Sequence, residues 1–165
     1  MTHHIRAAHP HELGRVAAVM RASWDHGIAP LVPGLVRRRV IAEQPFDAFV
    51  RTLGRRLLVA DVGGLPVGAG ADDHEEGHIT DLWVAPEHQG RGVGSALLAA
   101  LEARIAQTGS RTARLEVLTA NARAMALYRY RGYRPEWRGL KLDRGIGIAL
   151  HKTGMVKPLR PAIPR

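Results

Sequence analysis

The sequence contains no cysteine. Disulfides, thiolate metal sites and a cysteine nucleophile are therefore excluded, and side-chain oxygen and nitrogen groups must carry any chemistry. Long hydrophobic runs are also absent. Nothing approaches the roughly 20 apolar residues of a spanning helix, and "MTHHIRAAHP" has no signal-peptide apolar core, so the expected compartment is the cytoplasm. Lysine is scarce, with three against 21 arginines. The formal net charge of +9 and pI near 11.1 invite a nucleic-acid reading. Against it, the arginines are spread from Arg6 to Arg165 and only Arg37, Arg38 and Arg39 cluster tightly. The charge reads as composition rather than as a nucleic-acid surface, with an anionic cofactor left open.

What is present describes one domain: 165 residues, 45% hydrophobic and 24% charged, with no internal repeat or low-complexity segment. Residues 4–8 suit a short strand, and Leu13, Val16, Ala17 and Met20 mark one face of a helix after Pro10. The segment 25–34 breaks that helix, and Phe46, Phe49, Val50 and Leu53 predict another after Pro45. Residues 56–73 read as two strands joined at Gly63-Gly64. A third such strand spans 78–85, with His78, Thr80, Leu82 and Val84 on one face and Ile79, Asp81, Trp83 and Ala85 on the other. Val93, Leu97, Leu101 and Ile105 predict a helix ending at Gly109, followed by a strand at 113–118. Asn121 caps a helix over 122–131, Gly132 ends it, and two further strands close the domain. Hairpins followed by alternating strands and helices predict an α+β (mixed α/β) fold, with a domain over 1–152 and a loose tail over 153–165.

Gly90, Gly92 and Gly94 occupy alternate positions in "EHQGRGVGSALLAAL", directly before a helix. Such glycines bring backbone amides close to phosphate oxygens at the positive end of the helix. A dinucleotide fingerprint would put a third glycine where Ser95 stands, and a Walker loop would need a lysine that this region lacks. A plain packing turn is the bland alternative.

Two motifs in order, "QGRGVG" after "LWVAPEH" and "NARAMALYRYRGY" (Asn121 to Tyr133), resemble the GNAT superfamily of acyl-CoA-dependent N-acyltransferases. The resemblance is dense from about 56 to 135. It implies a mixed, mostly antiparallel sheet splayed between its fourth and fifth strands and flanked by about four helices. It also implies acetyl-CoA as co-substrate, an amine acceptor and no metal. By the same resemblance the pyrophosphate belongs to Gln89, Gly90, Arg91, Gly92, Val93, Gly94 and Ser95. The pantetheine arm belongs to the strand end at Leu82, Trp83 and Val84, in the manner of an added strand. Asn121, a cap in its own right, would also touch the cofactor.

Acyl transfer to an amine requires a neutral nucleophile and a proton for the departing thiolate. Tyr128 stands where the family commonly places that acid, with a core tyrosine as the plain alternative, while Tyr130 points elsewhere. Glu116 projects from the sheet face opposite to Leu115 and Val117 and is the expected base, as its offset from Tyr128 resembles ribosomal-protein N-terminal acetyltransferases. Asp81, His78, Glu75 and Glu76 are its rivals. "DDHEEGH" (72–78) spaces His74 and His78 like metal ligands, yet Gly77 argues against a helix there and a solvated acidic turn is the simpler reading.

The segment 24–55, with Trp24, Asp25, His26 and Arg37 to Arg39, is expected to wall the acceptor site. Deprotonating a lysine at pH 7 costs about 4.6 kcal/mol and an α-amine only about 1, which leans toward a low-pKa acceptor. Acidic Asp72 to Glu76 keep polycationic amines in contention. A non-catalytic acyl-CoA-binding module is the alternative reading, and a homodimer stays open.

Overall fold

The computed structural model describes residues 3–73, 77–143 and 147–160. Seven strands form one sheet in the order β1-β2-β3-β4-β5-β7-β6. They are β1 (His4–Ala7), β2 (Leu58–Val62), β3 (Leu65–Asp73), β4 (His78–Val84), β5 (Thr112–Leu118), β6 (Arg134–Asp143) and β7 (Ile148–Pro158). Every pairing is antiparallel except β4 with β5. The five α-helices are α1 (Leu13–Gly27), α2 (Gly34–Glu43), α3 (Pro45–Leu53), α4 (Val93–Gln107) and α5 (Ala122–Tyr130).

The two faces of the sheet are covered differently. Val16, Met20, Trp24, Val36, Phe46 and Val50 pack α1, α2 and α3 on the face that carries Val59, Ala69 and Ala71. Helix α4 covers the other face, where Val93 and Leu97 meet Ala60 and Val67. Strand β3 shows how the sequence permits this: its alternating Ala and Gly send methyls to one face and nothing to the other. A Cβ on Gly68 would lie 2.9 Å from Leu97 Cδ1 and 3.0 Å from the Trp83 carbonyl oxygen, so glycine there sets how closely α4 approaches.

The parallel pairing of β4 with β5 is confined to His78 with Arg114 and Ile79 with Leu115. Beyond Ile79 the strands part, and the splay expected between the fourth and fifth strands is present. A bulge lies at the same place: Ala71 pairs with Asp81 and Asp72 with Ile79, so Thr80 is the extra residue. This corrects the simple alternation read for 78–85. Ile79 packs beside Leu98 and Leu101 on the α4 side, as Leu82 does, while Trp83 packs with the α1 and α3 residues. An inserted residue re-aims the side chains on either side of it.

Three other expectations change. Helix α1 runs on to Gly27. Helix α2 was hidden by its three consecutive arginines, although Val36 and Val40 at i, i+4 are buried. The tail is not loose from residue 153, because β7 continues to Pro158 between β5 and β6. Thr153 and Met155 are fully buried there. No helix of the described residues is long and apolar enough to cross a membrane.

Candidate active site

Where β4 and β5 part, a cleft of about 1240 Å³ opens through the sheet. Its α4–α5 side is lined by Leu82, Val84, Gln89, Gly90, Gly92, Gly94, Ser95, Asn121 and Tyr128. Gly90 and Gly92 have φ of +74° and +84°, left-handed conformations that side chains resist. Gly92 caps α4, and the first amides of that helix have no acceptor within it. A Cβ on Gly94 would come within 3.1 Å of Leu127 Cδ2, so the third glycine serves the approach of α4 to α5.

Two residues assigned to the loop from sequence do not line the cleft. Val93 is buried in the core with Ala60, Val67 and Leu97. Arg91 offers its carbonyl to His3 Nε2 at 2.7 Å, which ties the loop to the start of β1. A cation the sequence reading overlooked stands in its place. Arg123 lines the cleft, with Nη2 3.8 Å from where a Cβ of Gly90 would be. Its signal was present: two residues after the cap, it sits in the first turn of α5.

Gln89 Nε2 donates to the Val84 carbonyl at 2.9 Å, pinning the end of β4 to the loop. Asn121 Oδ1 accepts from the Ala124 amide at 3.1 Å, and so acts as the cap expected of it. The glycine loop, the amides at the start of α4, Arg123 and the unpaired edge of β4 form a cradle that fits an elongated anion such as coenzyme A.

Tyr128 is buried on the inner side of α5, its ring against Tyr133 at 6.0 Å between centroids. Burial, with a contribution from the Asp81 charge, pushes its phenol up to about 12. Asp81 comes from the other side of the gap. Its Oδ1 accepts from Trp83 Nε1 at 3.0 Å. Burial raises its pKa above the usual aspartate value and Asp143 adds to that, whereas the Trp83 bond opposes it.

Glu116 also reaches the cleft, on the face away from Leu115 and Val117 as expected. Its carboxylate, however, is bound by Lys141, and by Lys152 at 3.6 Å. Lys152 in turn holds Asp143 at 2.8 Å. The expected base is thus paired with two ammonium groups that β6 and β7 deliver. His78 lines the cleft as well. Glu75 and Glu76, the other rivals, lie outside the described residues with His74. Among the described residues no cluster of metal-ligating side chains forms.

Of the segment 24–55, Trp24, His26, Phe46 and Phe49 line the cleft, whereas Asp25 and Arg37 to Arg39 do not. Tyr130 is 83% exposed. Asp72 is buried against Arg104 of α4 at 2.8 Å, on the face that α4 covers.

The profile of the family described as Acetyltransferase (GNAT) matches residues 33–133. Among solved structures, one described as a GCN5-related N-acetyltransferase, aminotransferase class II, from Rhodopseudomonas palustris is 26% identical. It has a TM-score of 0.78, with 96% of this chain and 97% of that chain covered. The ribosomal-protein-S18-alanine N-acetyltransferase of Escherichia coli is 20% identical over 99% of this chain and 98% of its own, with a TM-score of 0.70. The PaiA N-acetyltransferase of Thermoplasma acidophilum, solved in complex with coenzyme A, is 18% identical over 96% and 99%, also at 0.70. At those last two identities the likeness concerns the fold.

Proposed function

Because the chain belongs to the acetyltransferase (GNAT) family of acyl-CoA-dependent N-acyltransferases, we propose that it transfers an acetyl group from acetyl-CoA to a primary amine by direct attack within a ternary complex. The observation that carries this reading is the placement of Tyr128 and Asp81 on opposite sides of one gap, with the glycine loop at its mouth.

Acetyl-CoA supplies the thioester carbonyl and the thiolate leaving group. Gly90, Gly92, Ser95 and the first amides of α4 hold its phosphates, with Arg123 as the countercharge, and the β4 edge at Leu82 to Val84 aligns its arm. Asp81, which burial makes a stronger base than an ordinary aspartate, accepts the proton that the amine loses as its nitrogen bonds to the carbonyl carbon. Tyr128 gives its phenolic proton to the sulfur as the carbon–sulfur bond breaks. A phenol held near 12 stays protonated until it is needed.

Calorimetric titration with acetyl-CoA, followed by an acetyl-transfer screen over primary amines, tests the reading. Binding together with turnover supports it. Binding without turnover on any amine would favour a non-catalytic acyl-CoA-binding module, and no binding would remove both.

A further inference from the structure

Aromatic residues are scarce in this chain, eight in 165: three Trp, three Tyr and two Phe. Five of them, Trp24, Phe46, Phe49, Trp83 and Tyr128, line the one cleft. Three form a continuous wall. Trp24 and Phe46 lie 6.4 Å apart between ring centroids, and Phe46 meets Trp83 edge-on at 6.1 Å. The wall ends at Asp81, which Trp83 itself holds. Ile28, Leu31 and Phe49 extend it outward, and Leu31 is 41% exposed.

Resting on the acetyl-transfer reading above, we propose that the acceptor is a small primary amine carried on an aromatic or bulky aliphatic group. Its nitrogen lies at Asp81 and its apolar body against Trp83 and Phe49, with the buried Phe46 behind them.

The charges in the cleft point the same way. Of the 21 arginines, Arg123 alone among the described residues lines the cleft, at the coenzyme end. Glu116 and Asp143 are neutralised by Lys141 and Lys152. Among the described residues Asp73, Asp81, Glu116 and Asp143 line the cleft, and a polyamine or aminoglycoside that reached for Glu116 or Asp143 would meet Lys141 and Lys152 beside them. Asp72 cannot help, since it is turned to Arg104. An acceptor carboxylate fares no better, because both lysines are already paired with acids. Leu31 and Leu142 put exposed apolar side chains at the rim. An apolar wall also favours the uncharged amine, the form that attacks.

The experiment has a binding arm and a turnover arm. Calorimetry on the protein saturated with coenzyme A compares 2-phenylethylamine, ethylamine, spermidine, L-phenylalanine and the peptide Phe-Gly-Gly. Acetyl-transfer rates are then measured for the same set with acetyl-CoA. Burying a phenyl group predicts a preference for 2-phenylethylamine over ethylamine of roughly 30- to 100-fold in Kd and in kcat/KM. Phe49→Ala reduces that preference about tenfold through KM, and Phe49→Leu, which keeps an apolar wall, restores most of it. Preference for spermidine, L-phenylalanine or the peptide, or no discrimination between 2-phenylethylamine and ethylamine, overturns the inference and leaves the acyltransferase reading standing. Failure to bind coenzyme A overturns the reading itself. Tight binding of 2-phenylethylamine without turnover upholds the acceptor site and removes the catalysis.

Discussion

Asp81 and Trp83 stand two residues apart on the same face of β4, and the indole Nε1 of the second donates to the carboxylate Oδ1 of the first at 3.0 Å. The bond makes the aromatic wall and the candidate base one unit. It opposes the burial that raises the pKa of Asp81.

Trp83→Phe keeps the ring and removes the donor. The carboxylate loses a stabilising bond, its pKa rises further, and the acid limb of kcat/KM moves to higher pH. The companion variants Asp81→Asn and Glu116→Gln separate the two carboxylates. Loss of the base lowers kcat by about 10²- to 10⁴-fold for Asp81→Asn, while Glu116→Gln acts mainly by releasing Lys141, since Lys152 keeps Asp143. A larger loss from Glu116→Gln in a pH-rate series would return the role to Glu116.

Tyr128→Phe removes the acid and little else, since the ring is buried and packed on Tyr133. The expected outcome is a fall in kcat of about 10²-fold or more with an unchanged Kd for acetyl-CoA. Because the phenol sits at about 12, activity should show no alkaline decline from this residue at pH 10. A decline below pH 10 that disappears in Tyr128→Phe would contradict the assignment.

Gly68→Ala would place a methyl against Leu97, Val93 and the Trp83 carbonyl, all within 3.0 Å. Either α4 retreats from the sheet or β3 shifts. Urea denaturation should show a loss of about 1–3 kcal/mol. Gly14→Ala, where a Cβ would have nothing within 4 Å, is the control and should show no such loss.

Arg6 joins Glu12 at 2.6 Å and Asp61 at 2.7 Å, tying β1 to β2 and to the turn before α1. The Arg6 bond is the main reason Glu12 falls from 4.5 to about 2, against the opposing effect of burial. Asp61 is lowered for the same first reason. A depressed acid contributes stability that is present above its unfolded pKa and lost as pH falls through its folded one. Stability should therefore decline between about pH 5 and pH 2. Glu12→Gln should be less stable at pH 7 and show a shallower decline, measured as Tm against pH.

Much of this site was legible along the chain, for reasons that differ by residue. Gly90 and Gly92 are legible because few other residues accept their positive φ, and Asn121 because its side chain satisfies an amide three residues away. Tyr128 follows from its helix offset once Asn121 is placed. Glu116 shows the limit of such reading. Strand alternation turned it away from Leu115 and Val117, but its partners come from β6 and β7, far along the chain, and nothing local announces them. Arg91 and Arg123 illustrate the same limit. Both neighbour the right motifs, and only the packing of α5 against the loop selects the second.

The sequence by itself therefore determined the local conformations of the glycine turn and of the α5 cap, because backbone sterics and capping act over a few residues. Tertiary structure alone decided where β4 leaves β5, how the bulge at Thr80 aims Asp81 and Trp83 into the gap, and which carboxylate the lysines occupy. Those outcomes depend on strand register and burial, which are properties of the whole sheet rather than of any short stretch of it.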